Sequence, residues 1–163
     1  MPLLIRKLNR AKWPPNNIED VFQVSADAIT NCLKSASNTI SVWKIDDRKD
    51  LEEAVLAIAA KQDHLESFDV VIIEDTFVND YSIPIKQIDG KTPVLDLVKL
   101  HYDIYNLDYY KIGLLAEHIN RRINSNDYKR FTISELKKIL RAAVDLKRVD
   151  INDLNENIRR KIA

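Results

Sequence analysis

The chain has 163 residues, 45% of them hydrophobic, with 25 basic and 25 acidic side chains, so its formal charge is zero. One cysteine, Cys32, excludes an internal disulfide and a multi-thiolate metal site. No run approaches the ~20 apolar residues that cross a bilayer, and the Leu3–Ile5 run gives way to charges too soon for a signal peptide. A soluble, cytoplasmic protein that does not enter a membrane is expected.

The neutral total hides a sorting. Residues 1–45 hold six Lys and Arg against three acids, residues 46–117 seven against sixteen, and residues 118–163 twelve against six. An acidic middle and a basic tail imply an internal electrostatic match or two faces meant for different partners. Glycine is scarce, with Gly90 and Gly113 the only two. That argues against backbone-cradled phosphate loops, which depend on glycine.

In chain order, Leu3–Leu8 reads as a strand, and Trp13-Pro14-Pro15-Asn16-Asn17 breaks regular structure. Val21, Val24, Ala28, Cys32 and Leu33 recur at helical spacing over 18–33. Residues 35–38 form a loop, and 39–45, rich in β-branched and aromatic residues, reads as a strand. Asp47 or Asp50 caps a helix over 50–65 with Leu51, Val55, Ile58 and Leu65 on one stripe. Residues 69–73 form a strand buried on both faces. Strand, helix and strand together predict a right-handed βαβ crossover, with Val55, Ile58, Val71 and Ile73 at the core's centre. Residues 83–88 suit an edge strand, because Pro84 cannot donate to a ladder, and Asp89-Gly90 is a turn.

Beyond Lys91 the pattern is helical. Thr92 and Pro93 start a helix to about Asn106, and Asp108 starts another carrying Ile112, Leu115, Ala116, Ile119 and Ile123, broken at residues 124–127. Thr132 and Glu135 form a capping box ahead of a third helix. Its stripe of Ile133, Leu136, Leu140 and Val144 is expected to pack on the helices of residues 94–123. A terminal helix begins near Asn152. The fold class is α/β, with α+β the alternative: a small sheet containing the βαβ unit over residues 1–90, followed by a helical subdomain over 91–163, the two packed together.

Six features of the sequence bear on chemistry. Asp46, Asp47, Glu74 and Asp75 end two proposed strands and could share Mg²⁺, although solvated loop exits explain them more simply. Gly90-Lys91-Thr92 resembles the end of a phosphate loop, but the required earlier glycine is Ile85. His64, His101 and His118 are too scattered for a zinc site, and Cys32 reads as a small buried hydrophobe. The tail residues Lys137, Lys138, Arg141, Arg148, Arg159 and Arg160 lie on a helical pair and provide charge for nucleic acid or another partner. Tyr102, Tyr105, Tyr109 and Tyr110 suit an interface, and suit a seam between two helices better.

No catalytic residue and no cofactor is expected. The preferred function is a non-enzymatic binding or adaptor protein acting through protein partners. A nucleic-acid-associated regulator using the basic tail is the first alternative, and a Mg²⁺-dependent enzyme using the strand-end acids is the second.

Overall fold

The computed structural model describes residues 1–13, 24–33 and 35–163. Their strands are β1 (Leu3–Leu8), β2 (Ile40–Ile45), β3 (Phe68–Glu74), β4 (Ile85–Gln87), β5 (His101–Ile104) and β6 (Tyr128–Phe131). The helices are α1 (Ala26–Cys32), α2 (Leu51–Ala60), α3 (Asp75–Asp80), α4 (Tyr109–Asn124), α5 (Ile133–Asp145) and α6 (Glu156–Ile162). The six strands form one sheet in the order β4-β5-β2-β1-β3-β6, antiparallel at every junction.

Strand alternation explains the layering. Leu3, Ile5, Trp43, Ile45, Phe68, Val70 and Ile72 point to one face, where α2, α5 and α6 cover them. Leu4, Leu8, Val42, Val71 and Ile73 point to the other, beneath α1, α3 and α4. The fold is therefore α/β, with helices on both faces of the sheet. Val55 and Ile58 belong to one core and Val71 and Ile73 to the other, so the single centre expected for these four is two centres separated by the sheet.

Several expectations are revised. β2 and β3 run parallel, since both are antiparallel to β1, but β1 lies between them. The βαβ unit is split, and its helix α2 crosses over the inserted strand. The helix expected over 93–106 is a 3₁₀ segment, Leu95–Leu100, followed by β5. Residues 101–104 pair with β2 on one side and β4 on the other, and those two ladders outweigh a local helix start signal. β4 is the edge strand that Pro84 predicts. Both β5 and β6 come from beyond residue 90, so the two halves of the chain share one sheet.

The helix read over 18–33 starts at Ala26, where the Ser25 hydroxyl accepts the Ala28 N–H at 3.1 Å; Val21, like residues 14–17, lies outside the described residues. The capping box of α5 is present, with Thr132 and Glu135 exchanging hydrogen bonds. Its helix docks on α2, not on α4, because β6 carries the chain to the sheet's opposite face. Leu136 and Leu140 are buried there, Val144 is partly buried, and Ile133 is exposed.

A glycine-poor chain must turn by other means. α3, α4 and α5 end with Ser82, Asn126 and Lys147 in the left-handed region, at φ 52°, 58° and 56°. In each case the paired backbone bonds of a Schellman motif close the end, such as Lys147 N–H to the Val144 carbonyl and Arg148 N–H to that of Ala143, both 2.9 Å. Gly90 serves packing instead: a β-carbon there would lie 2.7 Å from the Trp43 ring and 2.8 Å from His101 Cβ.

Candidate functional site

The strand-end acids lie at one end of the sheet. Ile45 and Glu74 both face Leu3, from opposite sides of β1, so their strands are two ladder spacings apart, about 9–10 Å. Asp46 is exposed, and the other three carboxylates have separate tasks. Asp47 caps a turn through the Lys49 N–H, a bond that holds its carboxyl below the usual range. Asp75 pairs with Lys44 at 3.2 Å. Glu74 accepts from His118 at 3.2 Å and pairs with Arg122, which also grips Asp127. Among the described residues no group of three or more His, Cys, Asp or Glu side chains is placed to hold a metal.

No sequence spacing signals this His118–Glu74–Arg122–Asp127 chain, which tertiary structure assembles. The His118 ring stacks on Phe77, with centroids 3.9 Å apart. Burial holds its pKa down; Glu74 opposes that shift, while Arg122 and Arg121 reinforce it. His118 is therefore disposed to stay neutral. His101 packs edge-on to Trp43, with Nδ1 3.0 Å from the Ile88 carbonyl.

The basic tail is largely committed within the chain. Arg148 reaches Glu53 on α2 at 3.1 Å and Asp96 at 2.9 Å, and these bonds push its pKa up. Arg130 pairs with Asp69 at 3.2 Å. Arg141 donates to the Ile162 carbonyl at 2.7 Å, and Arg159 reaches Asn152 at 3.4 Å. Arg160 pairs with Glu156 one turn earlier. Lys137 is half-buried and Lys138 exposed. The sorted charges thus meet each other across the fold.

The tyrosines separate into two pairs. Tyr102 on β5 and Tyr105 just past it are half-buried, with the ammonium groups of Lys44 and Lys86 5.4 and 5.1 Å from their ring centroids. Neither lies in a helix seam, since the first of the two helices is absent. Tyr109 and Tyr110 open α4 and are 91% and 62% exposed. Asp108 fixes that end by accepting the Lys111 N–H at 2.8 Å. Beside the tyrosines runs a shallow groove of about 330 Å³ between α1 and α4, with Val24, Ile29, Gly113 and Leu114 in its walls.

A second concavity comes from strand geometry. β1 pairs with β3 along its whole length, from Leu3 opposite Glu74 to Leu8 opposite Asp69. With β2 it pairs only over Leu3–Ile5 opposite Ile45–Trp43, while β2 continues along β5 to Ile40. The two strands part at Arg6. Its guanidinium spans the opening, donating to the Ser41 carbonyl at 2.7 Å and twice to the Cys32 carbonyl at 3.2 and 2.7 Å. Burial lowers its pKa to about 10. The cleft so formed holds about 350 Å³.

No protein-family model matches the chain, and no curated protein or solved structure matches it either.

Proposed function

We propose that the protein is a binding or adaptor protein that works through protein contacts, with the tyrosine-bearing start of α4 as its docking face. One observation carries this reading. Two adjacent tyrosines stand out from a capped, well-anchored helix beside an apolar groove. Tyrosine offers large contact area with a hydrogen-bonding tip and little rotamer entropy to lose, which is why it anchors interfaces. A helix end held by Asp108 presents both rings from a fixed backbone, which leaves only their side chains to order. The basic tail is a weaker contact surface, because Arg141 and Arg148 are already engaged.

A photo-crosslinking aromatic residue in place of Tyr109 tests the proposal in the cell of origin. A discrete protein adduct is expected there and not from the same residue at Lys147. Tyr110→Ser in that background should weaken capture, consistent with an anchor worth about 2 kcal/mol. Equal adducts at both positions, or none at Tyr109, overturn it.

A further inference from the structure

We infer that the cleft between β1 and β2 is a binding site for a small phosphate monoester with an apolar or aromatic body. This inference is independent of the docking face on α4, which lies at a different surface.

The first support is charge. Arg6, Lys7 and Lys61 line the cleft, and among the described residues no acidic side chain does. In a chain of zero net charge, three cations around one concavity form a local excess, of which only Lys7 has a carboxylate partner among the described residues. Acids at its margin are engaged elsewhere or at its rim. Glu66 pairs with Lys7 at 3.3 Å, and Asp103 accepts the Ser41 hydroxyl at 3.2 Å.

The second support is donor capacity. A guanidinium has five N–H groups in a rigid fork. Three of those on Arg6 go to backbone carbonyls, and no carboxylate pairs with it among the described residues. Two N–H groups are therefore left on a side chain whose position is already fixed at the cleft. The two remaining donors, one on each terminal nitrogen, suit the oxygens of a phosphate, to which a charged guanidinium bonds strongly. Preorganisation of this kind removes part of the ordering cost of binding.

The third support is Lys61. Its ammonium sits 5.9 Å from the Trp43 ring centroid, and no carboxylate pairs with it among the described residues. Burial, then Arg6, Lys7 and Lys91, hold its pKa down. A bound dianion would relieve that mutual repulsion. The remaining walls combine the apolar Ile5, Leu8, Trp43 and Ile58 with the polar Asn9, Asn31 and Ser41. Apolar walls with a few convergent polar groups suit a small organic ligand, and the volume is that of ordinary small-molecule pockets.

The test uses the full chain with phenyl phosphate, inorganic phosphate and phenol as probes, by calorimetry and tryptophan emission. Phenyl phosphate should bind saturably and more tightly than either fragment, with affinity falling as salt rises. Arg6 also ties α1 to the sheet, so its loss could unfold the domain. Lys61→Gln is the deciding variant. It should keep the wild-type melting temperature and weaken phenyl phosphate about tenfold, the loss of one charged hydrogen bond. Lys138→Gln, on the exposed face of α5, should leave affinity unchanged. The inference is overturned if phenyl phosphate does not bind, if phenol binds as tightly, if Lys61→Gln binds like the wild type, or if Lys138→Gln loses as much.

Discussion

Arg148 and Glu53, 95 residues apart in sequence, meet through two hydrogen bonds that join the end of α5 to the outer turn of α2. Asp96 completes the contact from the 3₁₀ segment. One cation from the basic tail thus fixes two acids of the middle segment. The groups are partly exposed, so solvent screening limits the gain. A cycle of Arg148→Met and Glu53→Gln should give a coupling of about 1 kcal/mol in urea unfolding, shrinking at high salt. A coupling near zero would mean that the apolar stripe of Leu136 and Leu140 alone holds the tail.

What was legible in the sequence is what local chemistry decides. Asp108 and Thr132 announce helices because their side chains satisfy N–H groups a few residues away. The apolar run from Val70 to Ile73 in β3 shows its burial between two layers directly. The misses share a different cause. β5 and β6 are four residues each and exist because distant strands pair with them. Thr92 and Pro93 offered a helix start that those ladders overrode. Likewise, Arg6 reads as one more surface charge until β1 and β2 are seen to part beside it. Residue type alone treats the four tyrosines alike, and the separation of Tyr109 and Tyr110 from Tyr102 and Tyr105 depends on where β5 ends.

Gly90 marks a contact that only the tertiary structure reveals. A β-carbon there would press into the Trp43 ring and His101 Cβ, and the ring is buried between sheet and helix. Gly90→Ala should therefore cost about 1–3 kcal/mol as an overpacking change. It should also shift tryptophan emission, since Trp43 moves. Unchanged stability and emission would mean that the segment from Gly90 to Pro93 is free to retreat.

Lys147 predicts the opposite sign. It occupies the left-handed position of a Schellman motif, where a β-carbon is strained and glycine is not. Its side chain is exposed, so little packing is lost on removal. Lys147→Gly should stabilise the protein by about 1 kcal/mol, net of glycine's greater freedom in the unfolded chain. Thermal melting measures it. A lower midpoint would show that the Lys147 side chain makes a contribution exceeding the backbone strain.

His118 sets a pH dependence. Its pKa in the folded chain lies below the ordinary 6.5, because burial against Phe77 and the charges of Arg122 and Arg121 disfavour the imidazolium more than Glu74 favours it. Arg122 already holds the Glu74 carboxylate, which weakens the pull of that carboxylate on the proton. Below 6.5 the unfolded chain therefore binds a proton that the folded chain resists. The stability contributed by the neutral ring is fully present above that value and is lost as pH falls toward the depressed folded pKa. His118→Gln keeps a neutral donor near Glu74 but cannot titrate. Urea unfolding of both proteins from pH 7.5 down to about 5 should show the wild type losing stability faster than the variant below about 6.5. Parallel curves would mean that His118 has the same pKa folded and unfolded, and a wild type that gains on the variant would mean that Glu74 dominates and holds the ring charged.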